Sequence, residues 1–252
     1  MFTYMGCRTI MLISCFFVCI ASCDRKSKMV TKSLIDKEDV QAQQVGALEL
    51  SLSVIQDMKI ALIDGGMAPS QAQVIATGAL FGLNSSETNN ESDASSDQFK
   101  LLGKFDPVYA IPRLTGSAIK TLADPRAGQN NIDGKLKFAG IIAEGVVESL
   151  GSDKASAVLA DKQKQLLPGG VAKSAISNLD DAGIAGKELS SGIGKIIDGA
   201  VSKLKSVGFN KIVLKDVVSN MTKQTVQGMQ DIGLSKALVG ISMESLIKST
   251  VG

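Results

Sequence analysis

An apolar pattern recurs every 25 residues in the C-terminal part of the chain. Counted from a zero position at Ile184, Phe209 and Leu234, it places apolar residues at positions five, nine, twelve and seventeen of each repeat. These residues are Leu189, Leu214 and Val239; Ile193, Val218 and Met243; Ile196, Met221 and Leu246; and Val201, Val226 and Val251. The stretch before the first repeat matches the pattern only in its later part, at Val171, Ile176, Leu179 and Ala182.

Each repeat fits one amphipathic helix. Positions five, nine, twelve, sixteen, twenty and twenty-three fall within roughly 80° of one another on a helical wheel. A helix of about 18–20 residues is about 30 Å long. Internal glycines such as Gly192, Gly194 and Gly199 each disfavour a helix by about 1 kcal/mol relative to Ala. They indicate either a close helix–helix approach or a break near residues 190–194, so two shorter helices per repeat remain an alternative.

Glycine triplets predict where these helices end. Ala182-Gly183-Ile184, Val207-Gly208-Phe209 and Ile232-Gly233-Leu234 each fit a left-handed glycine cap followed by an apolar contact. The chain then reverses, and short connections favour antiparallel neighbours. We therefore predict an all-α fold, an antiparallel helical bundle or a short helical array in which each stripe is buried by the next. This helical repeat domain spans residues 105–252.

A helical hairpin is predicted upstream, over residues 38–83. Its first helix ends at Asp64-Gly65-Gly66, with Met67 as the apolar residue of the same kind of cap, and Pro69 suits the first turn of the second helix, which runs to about Leu83. The first helix has apolar residues at near-heptad spacing, which are Val45, Leu48, Leu52, Ile55 and Leu62.

The segment between the hairpin and the repeat domain is polar. Ala94 is the one apolar side chain in residues 84–98, too little to offset the entropy of ordering, so residues 84–104 form a flexible loop in this prediction. Between Phe105 and Pro112 we expect an extended chain. Shorter helices follow over about 113–123, 132–150 and 153–166, separated by Asp124-Pro125, Gly151-Ser152 and Pro168-Gly169-Gly170.

Composition excludes several kinds of chemistry. The chain has no His and no Trp, and its four Cys all lie within the first 23 residues. Without imidazole or further thiols, a zinc site of the usual type and a Ser–His or Cys–His couple are excluded for the rest of the chain. The whole chain has 27 Lys and Arg and 25 Asp and Glu. Residues 1–22 contain one of these cations, Arg8, and none of the carboxylates, so the charges of the remaining chain nearly balance. Such a balance argues against nucleic acid as a partner.

The N-terminus has the parts of a secretory signal: Arg8 in a short basic region, an apolar core from Thr9 to Ala21, and small residues before a cut. About 13 apolar residues are too few to span a bilayer, which needs about 20. The run Ile20-Ala21-Ser22-Cys23 resembles the lipobox of bacterial lipoproteins. That resemblance implies that residues 1–22 are a removed signal peptide and that Cys23 is the lipid attachment site and first mature residue.

Two alternatives to lipidation stay open at this point. An uncleaved anchor helix, or a buried N-terminal helix, could carry a cysteine at position 23 by chance. Ordinary cleavage is the second alternative, but it would leave Cys23 as a lone thiol in an oxidising compartment. Cys7, Cys15 and Cys19 leave with the leader in either form of cleavage.

Residues 23–37 are interpreted as a lipidated tether. They are polar, and cations such as Arg25, Lys26 and Lys28 could lie against anionic headgroups or could simply be solvated. Asp24 resembles the inner-membrane retention signal of enteric bacteria, a rule that other phyla ignore. The expected location is a bacterial cell membrane or outer membrane, with the domain facing the periplasm or the exterior, and its partners are the membrane and a protein of the envelope or surface.

Short motif matches carry little weight. Ser117 with Lys120, and Ser245 with Lys248, fit a Ser-x-x-Lys pattern, but its Ser-Asp-Asn and Lys-Thr-Gly companions do not occur. Two glycine-rich runs, Gly169 to Ser174 and Gly192 to Lys195, have the wrong spacing for a phosphate loop. Asp180-Asp181 suits a turn better than a cation site. We predict no catalytic, cofactor or metal-binding residue.

Three functions follow from these observations. The first is a membrane-anchored lipoprotein whose helical domain binds a partner or has a structural role in the cell envelope, without catalysis. The second is a membrane-active protein, because residues 192–204 resemble a magainin-type amphipathic peptide. The third is a metal-free hydrolase that uses carboxylates, which needs two acidic groups converging in a pocket.

Overall fold

Eight α-helices dominate the computed structural model, which describes residues 45–84 and 106–234 and contains no strand among them. The predicted all-α fold is confirmed for this part of the chain. The signal peptide, the tether, the start of the hairpin, nearly all of the polar loop and the third repeat beyond Leu234 lie outside the described residues. The helices are α1 (45–64), α2 (Pro69–Asn84), α3 (Pro107–Thr121), α4 (Ile132–Ser149), α5 (Asp153–Val158), α6 (Asp161–Ser177), α7 (Leu189–Leu204) and α8 (Lys211–Asp231).

The glycine caps lie where the sequence predicts them. Gly66, Gly183, Gly208 and Gly233 all have positive φ, between 71° and 93°. At three of the caps the next residue's amide donates to a carbonyl five residues back: Met67 to Leu62 at 2.9 Å, Ile184 to Leu179 at 2.9 Å and Leu234 to Met229 at 3.0 Å. This bond is the signature of a Schellman motif. The described repeats, 184–208 and 209–233, therefore each contain one α-helix, α7 and α8.

The helices pack in two rows. One row runs α2, α3, α6, α8, because these are the extensive neighbour pairs along it. The other contains α4 packed along α7, with α1 on the opposite side of α4, where a Cβ on Gly145 would lie 2.9 Å from the Ala61 side chain. Contacts of α4 with α3 and α6, and of α7 with α6, join the rows. All described residues from Gly46 onward belong to one unit.

Direction alternates along the chain, yet close neighbours in space are often parallel. In α3 and α6, Pro112 lies against Gly170 and Lys120 pairs with Asp181. Residue numbers therefore increase in the same direction along both helices. The same holds for α6 and α8, where Leu166 contacts Asn220 and Lys173 pairs with Asp231. Parallel neighbours arise here because the chain places α4 and the short α5 between α3 and α6, and α7 between α6 and α8.

The stripes of α7 and α8 are buried by helices other than each other. The α7 stripe packs mainly on α4 and the α8 stripe on α6, whereas the sequence suggested that each repeat would cover the next. Short connections set the reversal of direction but leave the packing partner to complementarity of shape. In α7 the five stripe residues are all buried, and they are Leu189, Ile193, Ile196, Ala200 and Leu204.

Close approach of two backbones explains Gly199, one of the internal glycines of α7. A Cβ on Gly199 would overlap the carbonyl group of Gly140 in α4, and one on Gly140 would lie 2.8 Å from the carbonyl oxygen of Lys195. No break occurs at residues 190–194, which are helical. Of the two predicted explanations for these glycines, the close helix–helix approach is therefore the one the structure shows at Gly199.

The extended chain predicted between Phe105 and Pro112 is wrong, because α3 already begins at Pro107. Asp106 has extended φ and ψ and its carboxylate accepts from the amide of Val108 at 2.9 Å, which is an N-terminal cap. Pro107 then occupies the first helical turn, where its missing N–H costs nothing. Pro112 lies inside the helix, although a proline there removes one backbone hydrogen bond.

The predicted helix over 153–166 is also wrong. The chain forms a short α5, turns at Leu159 and Ala160, and then runs as α6 straight through Pro168-Gly169-Gly170. Packing explains why these residues do not end the helix: a Cβ on Gly170 would lie 2.9 Å from the Pro112 ring, and one on Gly169 would lie 2.7 Å from the Asn220 amide. The glycines let α3 and α8 approach α6 closely.

The core face of α1 differs from the near-heptad set. Of the five predicted residues, Ile55 and Leu62 are buried and Leu48 is half-buried, but Val45 and Leu52 are 57 % and 45 % exposed. The inward face instead includes Ala47, Leu50, Ser51, Val54 and Met58. The close contact with α4 at Gly145 is made by the Met58 backbone and the Ala61 side chain, and it turns this face of α1 inward instead of the face with Val45 and Leu52.

Candidate functional site

Cys23, the predicted lipid attachment site, lies outside the described residues, as do Ser245 and Lys248. The other Ser-x-x-Lys pair lies on α3, where Lys120 forms an ion pair with Asp181 at 2.9 Å. Ser117 packs against α2, since a Cβ on Gly82 would lie 2.8 Å from the Ser117 Cβ. Ser117 and Lys120 therefore each contact another element, α2 for the serine and the turn after α6 for the lysine.

The remaining motif matches are structural in the described part of the chain. Residues 169–174 lie in the middle of α6 and residues 192–195 lie inside α7, so neither glycine run forms a loop that could cradle phosphate. Asp180 and Asp181 lie in the turn that ends at Gly183, as predicted. No group of three or more potential metal ligands comes together in residues 45–84 and 106–234.

A groove of about 240 Å³ lies between α2 and the end of α3. Phe81, 68 % exposed, stands at one side of it. On the other side is the short helix Pro125–Ala127, which contributes Arg126. The full lining consists of Gln73, Val74, Thr77, Gly78, Phe81, Thr121, Asp124 and Arg126. This groove is the candidate binding site of the described domain.

Most polar groups of the groove are already paired. The hydroxyls of Thr77 and Thr121 donate to the carbonyls of Gln73 and Ser117, at 2.8 and 2.7 Å. Asp124 accepts from the Arg126 amide at 2.8 Å and from Nη2 of the same residue at 2.6 Å. These hydrogen bonds lower the pKa of Asp124 to about 2, so its carboxylate is ionised at neutral pH and holds no proton to transfer.

A second cluster of charges joins α4 and α7. The Lys203 ammonium lies 3.3 Å from a Glu144 oxygen and 3.1 Å from a Glu148 oxygen. The hydrogen bond to Glu148 is the main reason that the pKa of Lys203 is raised. On α1, partial burial raises the pKa of Asp57, and the charge of Lys154 offsets part of the rise. Glu144 and Glu148 therefore both pair with the ammonium group of Lys203.

Sequence reasoning missed both features. The cap signal Asp124-Pro125 marks the turn that forms one wall of the groove, but only the packing of α2 on α3 shows that Phe81 stands opposite. Glu144 and Glu148 are four residues apart and share one helix face, which predicts their proximity. Their common partner lies 55 residues further along the chain at Lys203, and no local pattern identifies it.

None of the described helices has both the length and the apolar character that crossing a bilayer requires. No protein-family model matches the chain, and a search of curated proteins gives no significant match.

Proposed function

We propose that the protein is a bacterial lipoprotein, anchored through a lipid on Cys23, whose helical domain binds a partner or has a structural role at the cell envelope without catalysis. The observation that carries this proposal is the run Ile20-Ala21-Ser22-Cys23 directly after an apolar leader. Thioether-linked diacylglycerol plus an amide-linked acyl chain, such as palmitate, would hold the chain at a membrane permanently, since each buried methylene contributes about 0.8 kcal/mol.

The chemistry of the described domain supports a non-catalytic role. Its groove contains one carboxylate, Asp124, which Arg126 holds in the ionised form. A carboxylate hydrolase needs a second acidic group with a contrasting pKa in the same pocket. Glu144 and Glu148 converge, but on Lys203. The arrangement favours binding over acid–base chemistry.

The membrane-active alternative is less well supported. Five apolar residues of the magainin-like segment, Ile193, Ile196, Ile197, Ala200 and Leu204, are buried in the core, and Val201 is half-buried. Presenting them to a bilayer would require α7 to leave α4, which exposes core residues of both helices. We expect the folded protein to leave dye-loaded liposomes intact, and leakage at low protein-to-lipid ratio would favour the alternative.

Metabolic labelling with an alkyne-tagged palmitate tests the anchor. The wild-type chain and the Cys23→Ala and Cys19→Ala variants are expressed in a Gram-negative host, and the label and the membrane fraction are measured for each. We expect label and membrane association in the wild type and in Cys19→Ala, and no label in Cys23→Ala. Cys19→Ala is the matched control because it also removes one leader cysteine.

Two results would contradict the proposal. Label that persists in Cys23→Ala would show acylation elsewhere, and an unlabelled wild type that still sediments with membranes would favour an uncleaved anchor helix. Loss of label in both variants would mean that the leader, rather than the attachment site, was damaged.

A further inference from the structure

Four helices begin at the same end of the domain. Parallel packing places the starts of α3, α6 and α8 together, through the contacts of Pro112 with Gly170 and of Asn220 with the Leu166 carbonyl at 3.3 Å. The start of α1 joins them, because a Cβ on Gly46 would lie 3.3 Å from Val158, just before α6. We call the first two turns of α1, α3, α6 and α8 the tether end, since the N-terminal segment connects to the domain there.

Large apolar side chains are exposed at the tether end. Ile212 in the first turn of α8 is 80 % exposed, Tyr109 in the first turn of α3 is 70 % exposed, and Leu166 in the second turn of α6 is 41 % exposed. Leaving such side chains in water loses the free energy that burial would give. Three helix starts share the feature, which indicates a surface rather than one misplaced residue.

Cations outnumber carboxylates by one at the tether end. The first two turns of α1, α3, α6 and α8 contain five cations, Arg113, Lys162, Lys164, Lys211 and Lys215, and three carboxylates, Glu49, Asp161 and Asp216, and a fourth carboxylate, Asp106, lies directly before α3. Tyrosine is favoured at the boundary between headgroups and acyl chains, and lysines extend their ammonium groups toward phosphates while their methylenes stay in apolar surroundings. The combination suits the surface of an anionic bilayer.

The segment between Cys23 and α1 is short enough to keep the tether end near the membrane that holds the lipid anchor. Between Cys23 and the first described residue lie residues 24–44, which span at most about 75 Å when fully extended. A surface restricted to that distance has a high effective concentration of lipid, so a weak intrinsic affinity is enough for contact.

We propose that the tether end is a bilayer-docking surface, with Tyr109 at the headgroup level and Ile212 and Leu166 reaching the start of the acyl chains. This inference rests on the proposed lipid anchor. It adds an orientation: the helices stand with their α1, α3, α6 and α8 starts toward the lipid, and the groove beside Arg126 and the Gly183 turn lie toward the far end.

The absence of tryptophan from the chain permits a direct test. Three single-tryptophan variants of the full-length acylated protein, Tyr109→Trp, Ile212→Trp and the control Ala185→Trp, are reconstituted in vesicles of phosphatidylcholine and phosphatidylglycerol with brominated acyl chains. Ala185 is exposed and lies at the opposite end, just before α7. Circular dichroism first establishes that each variant keeps the wild-type helical content.

For side chains about 5–10 Å deep in the interface, we expect roughly twofold quenching at positions 109 and 212 and almost none at 185. Adding Ile212→Glu to Tyr109→Trp should abolish the quenching at 109. The proposal is overturned if 109 and 212 are quenched no more than 185 while mass spectrometry finds acyl chains on Cys23. A blue shift without quenching would also overturn it, since it would indicate burial of the tryptophan against protein, such as a second copy of the chain, and not against lipid. An unacylated Cys23 would refute the anchor and this inference together.

Discussion

Helices α7 and α8 share one repeat pattern but differ in how deeply that pattern is buried. All five stripe positions from Leu189 to Leu204 are buried in α7. At the equivalent positions of α8, Leu214 and Val218 are only half-buried, while Met221, Thr225 and Met229 are fully buried. The same spacing of apolar residues thus produces a core helix in one repeat and an edge helix in the other.

Position in the two rows explains the difference. The α7 helix contacts both α4 and α6, whereas α8 packs extensively on α6 alone among the described helices. The α4–α7 contact brings backbones together at Gly140 and Gly199. The α6–α8 contact is also close, since a Cβ on Gly228 would lie 3.0 Å from the Lys173 carbonyl oxygen, but it covers only one side of α8. The sequence repeat therefore predicts that a helix forms, whereas the contribution of that helix to stability depends on the helices packed against it.

Truncation at position nine should separate the two helices most clearly. Ile193→Ala removes a fully buried side chain and should lower the free energy of unfolding by about 3 kcal/mol. Val218→Ala removes a half-buried one and should cost about 1 kcal/mol. Urea unfolding followed by circular dichroism measures both. Equal losses would contradict the distinction between core and edge.

Adding one methyl group at the glycine contacts gives the next largest contrast. Gly199→Ala places a Cβ into the Gly140 carbonyl and should destabilise by about 1–3 kcal/mol, although Ala favours a helix by about 1 kcal/mol. Gly228→Ala in α8 meets the Lys173 carbonyl oxygen at 3.0 Å, so a small shift accommodates it and the helix preference nearly balances the cost. A neutral Gly199→Ala would disprove the close approach of α4 and α7.

Removing a buried hydroxyl should stabilise α8. Position sixteen is Ala200 in α7 and Thr225 in α8, and the Thr225 hydroxyl is fully buried without a hydrogen-bond partner in residues 45–84 and 106–234. Thr225→Val should raise the unfolding free energy by about 1 kcal/mol, because an unsatisfied buried polar group is removed at constant shape. The control is Thr115→Val, which loses a 2.8 Å bond to the Ile111 carbonyl and should destabilise. A loss at both positions would mean that Thr225 does have a partner.

Ion pairs give the smallest contrast. Lys203→Met breaks two contacts between α4 and α7 and should cost less than about 1 kcal/mol, and Lys173→Met should cost still less because its pair with Asp231 is more exposed. The folded-state pKa of Lys203 is raised above 10.5. Its contribution is therefore complete below pH 10.5 and is lost as the pH rises through the folded pKa. Wild type and Lys203→Met should converge in stability at alkaline pH, and a constant difference would refute the charge interaction.

Local signals in the sequence predicted the ends of helices well. Gly66, Gly183, Gly208 and Gly233 are recognisable because a positive φ suits glycine, and Pro69 is recognisable because it fits a first turn. The same rules failed at Pro168-Gly169-Gly170, where the helix continues. The reason is tertiary: contacts with Pro112 and Asn220 offset the local preference for a break, and nothing near residue 168 reveals those partners.

The choice of packing faces was less predictable. Periodicity selected Val45 and Leu52 for the core of α1, whereas the structure buries Ala47 and Ser51. Large aliphatics give more area, but α1 lies against α4 through the Met58 backbone and the Ala61 side chain at Gly145, and the shape of that contact decides which face of α1 turns inward. The groove at Phe81 and the Lys203 cluster had no local signal, because each forms only when separate helices come together.

The most direct test of the account is the mass of the N-terminal peptide from protein extracted from membranes. We expect a peptide that begins at Cys23 and carries a diacylglyceryl group together with an amide-linked acyl chain. A peptide that begins at any other residue, or an unmodified cysteine at position 23, would contradict the proposed location and the role that depends on it.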